Sequence, residues 1–105
     1  MLINLTPHTI TIICPNNKII VPPSGKVARC AQEYVLVDTI EDISIYTTAF
    51  GEVSDLPAPK EHTIYIVSSI VAFALKGKRE DVFIPVDFVR DKTGNIIGCK
   101  GLARV

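Results

Sequence analysis

The chain has 105 residues and 11.5 kDa, with eleven Lys and Arg balanced by eleven Asp and Glu to a net charge of zero. That length fits one domain over residues 1–105, and the neutral balance excludes a protein whose main task is nonspecific nucleic-acid binding, which carries a basic excess. Apolar residues at 48% exclude a disordered chain, while aromatics at 7% with no Trp argue against a broad base-stacking platform.

Leu2–Leu5 and Thr9–Cys14 read as extended segments broken at Thr6-Pro7, with the β-branched Ile10, Ile12 and Ile13 favouring a strand. Pro15-Asn16-Asn17 is a turn, because Asn tolerates positive φ, and Lys18–Val21 returns as a hairpin partner. Pro22-Pro23-Ser24-Gly25 is the next break. Lys26–Cys30 alternates, Tyr34–Ile40 is apolar apart from Asp38 and predicts a buried strand, and Ile43-Ser44-Ile45 continues the period of two. Gly51 to Glu61 holds Pro57 and Pro59, which remove ladder donors, and four charges. An exposed loop of about ten residues is expected there.

His62–Val67 is a strand by composition and runs straight into Ser68–Gly77, which predicts a short helix. Ser68 or Ser69 would cap its N-terminus, and Gly77 suits the left-handed position past its end. This helix is apolar on nearly all sides, so cover by a sheet or a second subunit is expected. Asp81–Arg90 is extended, with Pro85 marking an edge or bulge. Asp91–Asn95 is a tight turn with Gly94 placed for positive φ, and Ile96–Cys99 closes the hairpin. The expected fold is α+β: a mainly antiparallel β-sheet, with barrel-like closure as one form of it, and one short buried helix.

Cys14, Cys30 and Cys99 are odd in number and lack a CxxC pair, so reduced thiols are expected, and with them a cytoplasmic location. No basic start followed by a long apolar run opens the chain, and the longest apolar stretch, Ile70–Leu75, is far too short to span a bilayer. The Asn4-Leu5-Thr6 sequon is without meaning in that compartment. Two histidines and three cysteines without zinc-type spacing suggest no metal site, and no cofactor motif is present.

Polar residues recur where apolar segments break. Thr6-Pro7-His8 is a proline-fixed bend that could aim His8 at a ligand, against the simpler reading of an exposed turn histidine. Ser24-Gly25 followed by Arg29 could offer a guanidinium fork to phosphate or carboxylate, against a hairpin turn with a solvated arginine. Ser68 and Ser69 could donate to an anion, against a plain capping pair. Arg90-Asp91 is more simply a surface ion pair. A nucleophile such as Ser68, Ser69 or Cys99, with His8 or His62 as base and Asp81 or Asp87 as orienter, would make a hydrolase, though no GxSxG elbow appears.

The segments Asn4-Leu5-Thr6-Pro7-His8-Thr9, Pro23-Ser24-Gly25 with Ala28-Arg29, Phe50-Gly51-Glu52-Val53, Tyr65-Ile66-Val67-Ser68, Arg79-Glu80-Asp81-Val82, and Val89-Arg90-Asp91 with Gly94 and Ile97-Gly98-Cys99 resemble a family of small phage and prophage proteins of no assigned activity. The resemblance covers nearly the whole chain. It implies a protein made in the host cytoplasm, and by analogy with that class an anti-defence sponge that sequesters a nucleotide-derived immune signal.

The expected function is therefore non-enzymatic binding of a small anionic ligand of nucleotide type by Thr6, His8, Arg29, Ser68, Ser69 and Arg90. One alternative is a protein-interaction inhibitor or accessory phage protein, motivated by the Pro-bearing loop and the apolar helix. A second is a small hydrolase of nucleotides or esters. A homo-oligomer is expected in each case, because so short a chain forms a deep pocket most readily at a shared interface.

Overall fold

A computed structural model describes the whole chain, residues 1–105. Eight strands and one helix follow in order: β1 (Leu2–Asn4), β2 (Ile10–Ile13), β3 (Lys18–Val21), β4 (Arg29–Ile40), β5 (Ile43–Ser54), β6 (Ile64–Ile66), α1 (Ser69–Ala74), β7 (Val82–Arg90) and β8 (Ile96–Ala103). Six of the strands form one sheet in the order β1-β6-β7-β8-β2-β3. The sheet curls until its outer strands nearly meet. Asn4 bridges Pro23 just past the end of β3, and the Ser24 amide donates to the Asn4 carbonyl at 3.0 Å. The result is a nearly closed barrel.

The expected antiparallel character is only partial. β2–β3 and β7–β8 are antiparallel, but β1–β6, β6–β7 and β2–β8 are parallel. Leu2 pairs with Ile64, so the partners lie far apart in the chain and no local turn announces them. The sequence of β6 and the residue after it, Ile64-Tyr65-Ile66-Val67, lacks polar alternation because this strand is covered on both faces. Tyr65 joins Leu5, Ala28, Val67, Val71, Ala72, Leu75 and Val82 in a core under α1. Ile66 joins Ile12, Val21 and Cys99 in a second cluster. The Tyr65 hydroxyl donates to the Ala58 carbonyl at 3.1 Å, which satisfies the one polar atom of a fully buried ring.

β8 lies against β2 so closely that Gly98 has no room for a side chain. A Cβ there would stand 2.9 Å from the Thr11 carbonyl oxygen and 2.8 Å from Ile13 Cδ1. Pro85 sits in β7 opposite Leu102, just beyond the Val82–Phe83 stretch paired with β6, where a residue without an N–H ends that parallel ladder.

Three expectations need correction. The helix is short, six residues, and covered on one side only. Val71, Ala72 and Leu75 are buried, whereas Ile70 and Phe73 remain exposed. The loop expected from Gly51 begins later, because β5 runs to Ser54 and pairs Val53 with Cys30. Tyr34–Ile40 is a strand but not a buried one. β4 and β5, twelve residues each, pair only with each other and form a two-stranded ribbon outside the barrel. Glu41 and Asp42 make its two-residue turn, both with positive φ (50° and 66°). That is the backbone a two-residue hairpin turn demands, although neither residue is the Asn or Gly that adopts it most cheaply.

Candidate functional site

The bend after β1 is built around one buried side chain, Asn4, which is 1% exposed. Its carboxamide nitrogen donates to the His8 carbonyl at 2.7 Å and to the Val21 carbonyl at 3.0 Å. Its oxygen accepts from the Thr6 amide at 2.9 Å and the Thr6 hydroxyl at 2.6 Å. All the hydrogen-bonding capacity of the amide is thereby used. The loop Thr6–His8 is held at two points and tied to the end of β3, so it has a defined shape despite having no secondary structure.

Thr6 and His8 from this loop, and Ser68 and Ser69 from the β6–α1 junction, line one open depression of about 810 Å³. Its other wall is apolar, with Ile10, Val67, Ile84, Val86, Phe88 and Ile96. A second hollow of about 230 Å³ shares Thr6 and Ser68 and adds Arg29. Five of the six expected site residues thus come from three separate stretches of chain to two depressions that meet at Thr6 and Ser68. The sixth does not. Arg90 lines neither hollow, and its guanidinium donates at 2.8 Å to the Gly94 carbonyl in the β7–β8 turn.

The hydrogen bonds assign each hydroxyl a sense. Thr6 gives its proton to the Asn4 oxygen at 2.6 Å, with the His8 carbonyl a second acceptor at 3.1 Å, so its own oxygen lone pairs remain free to accept. Ser68 is the N-cap of α1 and accepts from the Val71 amide at 3.5 Å, so its own O–H stays free to donate. His8 and Ser69 are exposed. Asp87, in left-handed backbone at φ 59°, also lines the larger depression, and no Lys or Arg does. The larger depression is a mixed donor and acceptor surface against an apolar wall, and the positive charge lies in the adjoining hollow with Arg29. Another group of cations, Lys76, Arg79 and Arg104, borders a separate hollow of about 190 Å³.

The remaining candidates for nucleophilic chemistry are dispersed. Cys99 is 1% exposed in the core, where burial pushes its thiol pKa up and away from the reactive thiolate. His62 sits in an exposed turn 3.5 Å from Glu61. Asp81 is held by Arg79 through two hydrogen bonds of 2.8 Å. Asp91 does not pair with Arg90. It accepts from the Thr93 amide and hydroxyl and the Asn95 amide, bonds that hold its carboxyl below the usual range.

Asn4 and Phe88 were not legible as site residues. Asn4 carries a structural role that no motif signals. Phe88 falls in an ordinary strand pattern, and the curl of the sheet brings it, with the candidate orienter Asp87, to the depression that Ser69 lines. Comparison with protein-family models, with curated proteins and with solved structures finds no match to this chain.

Proposed function

We propose that the protein binds a small anionic ligand of nucleotide type and holds it without turnover. The observation that carries this reading is the convergence of Thr6, His8, Ser68 and Ser69 on one depression that adjoins the Arg29 hollow. An apolar wall with one exposed aromatic, Phe88, suits a base or a similar flat group. Thr6 and Asp87 accept, and Ser68 and Ser69 donate, which suits the polar edge of a base or a ribose. The charged end of the ligand would lie toward Arg29, since Asp87 would repel a phosphate placed in the larger depression. By analogy with the phage proteins that the chain resembles, the ligand is a nucleotide immune signal sequestered in the host cytoplasm.

A second reading, a small hydrolase, draws on the presence of His8, Ser68, Ser69 and Asp87 in the same depression. Calorimetry against a panel of linear and cyclic nucleotides, with chromatography of the recovered ligand, separates the two. The expected result is binding tighter than about 10 μM by at least one member, recovered intact, and weakened at least tenfold by Arg29→Ala. Failure of every member to bind below about 1 mM overturns the proposal. Recovery of a cleaved product overturns the sequestering part and favours the hydrolase.

A further inference from the structure

The β4–β5 ribbon is the part of the chain that its own barrel leaves uncovered. From Ala31 to Glu52 every residue except Ile45 is exposed. A two-stranded ribbon standing alone is marginally stable in water, and both of its edges present unpaired N–H and C=O groups. Yet many of its exposed side chains are large and apolar.

The cross-strand register sorts these side chains onto two faces. Gln32, Tyr34 and Leu36 stand opposite Phe50, Thr48 and Tyr46 on one face. No residue of that set is charged. Tyr34, Leu36, Tyr46 and Phe50 are 71%, 56%, 55% and 42% exposed, and the two tyrosine rings meet edge to face at 6.4 Å. An uncharged, aromatic and pre-arranged patch has the composition of an interface centre. The other face carries Glu33 and Asp38 beside Val35, Ile40 and Ile43.

Area and charge indicate what covers the patch. The chain exposes 7418 Å², against roughly 5,800 Å² for a compact protein of its mass. The excess, roughly 1,600 Å², exceeds the roughly 800 Å² that each partner gives to a standard stable interface. The radius of gyration, 16.4 Å, likewise exceeds the roughly 13 Å of a compact chain of this length. Charge is divided in the same way. Residues 29–54 hold five acidic and one basic side chain, net −4, while the rest of the chain holds six acidic and ten basic, net +4. The arm and the remainder of a second copy are opposite in sign, which favours their approach, while the docking face itself is uncharged.

We propose that the ribbon is a self-association arm whose uncharged face, centred on Tyr34, Leu36, Tyr46 and Phe50, docks on a second copy of this chain. In a two-fold assembly each copy gives one arm and receives one. The proposal makes no use of the depression at Thr6 and Ser68, and it stands or falls separately from the ligand reading.

Light scattering and sedimentation velocity at tens of micromolar test it. The intact chain is expected to have at least twice the 11.5 kDa of one copy. Leu36→Glu combined with Tyr46→Glu is expected to return it to a single copy. Ile40→Glu combined with Ile43→Glu, on the opposite face, is expected to leave the assembly in place. None of the buried core residues lies between Ala31 and Glu52, so circular dichroism should show the barrel retained in both variants. The proposal falls if the intact chain is a single copy, if the Leu36 and Tyr46 variant keeps the assembled mass, or if the Ile40 and Ile43 variant loses it.

Discussion

The Asn4 side-chain oxygen accepts from both the amide and the hydroxyl of Thr6, at 2.9 and 2.6 Å. Two residues apart, the pair turns the chain out of β1 and decides where His8 stands. The other end of the same carboxamide holds the His8 and Val21 carbonyls. One buried side chain therefore fixes the Thr6–His8 loop and the seam of the barrel together.

Asn4→Ala leaves the Val21 carbonyl and the Thr6 amide without their side-chain partner, and leaves the His8 carbonyl with only the Thr6 hydroxyl at 3.1 Å. Unsatisfied buried groups cost about 1–3 kcal/mol each, with part recovered by relaxation, so a loss of roughly 2–4 kcal/mol is expected. Urea unfolding followed by circular dichroism measures it. A loss below about 0.5 kcal/mol would contradict the role given to Asn4.

Arg79 and Asp81 make a fork of two 2.8 Å bonds, and the same Arg nitrogen donates to the Pro57 carbonyl at 3.0 Å. Their side chains are 17% and 19% exposed, so the pair is largely sheltered and ties the loop before β6 to the strand after α1. The hydrogen bonds from Arg79 lower the Asp81 pKa from its ordinary 3.8. A depressed carboxyl contributes stability above its unfolded pKa and loses it as pH falls through the folded value. Arg79→Met should therefore cost roughly 2–3 kcal/mol at pH 7. The gap to the unsubstituted chain should narrow below about pH 4. An equal gap at pH 7 and pH 3 would refute this assignment.

Gly98→Ala forces a methyl against the Thr11 carbonyl, a backbone atom that cannot swing aside. Separation of β8 from β2 would open the barrel at its single paired position, Ile12 with Cys99. Overpacking of this kind costs about 1–3 kcal/mol. For a domain of this size each kcal/mol lowers Tm by about 4–8 °C. A thermal scan showing no change would mean that the strands are not in such close contact.

Glu41→Asn with Asp42→Gly places the preferred residues at the two positive-φ positions of the ribbon turn. Relief of roughly 1 kcal/mol is expected, seen as about fivefold slower hydrogen exchange of the ribbon amides. Unchanged exchange would show that the turn does not limit ribbon stability.

Local chemistry made much of the fold readable. Pro15-Asn16-Asn17 marks the β2–β3 turn, Ser68 marks the start of α1, and Asp91–Asn95 marks the β7–β8 turn, each through a side chain or ring that acts on its own backbone. Pairings between distant strands were not readable, because Leu2 and Ile64 share no turn, and hydrophobicity alone does not say whether a strand is parallel. Burial of Tyr34–Ile40 was misjudged for a different reason. An apolar run records that the residues are made to be covered, not that the same molecule covers them. Polar residues at breaks singled out Thr6, His8, Arg29, Ser68 and Ser69, which the fold brings to two adjoining hollows, whereas Arg90 lies apart from both and donates to the Gly94 carbonyl of its own turn at 2.8 Å.

Arg29 is the first residue of the ribbon and also a wall of the smaller hollow. Cys30 and Val53 pack the root of the ribbon against the core, so Arg29 leaves from a fastened backbone, and whatever holds the far end leaves the guanidinium wall in place.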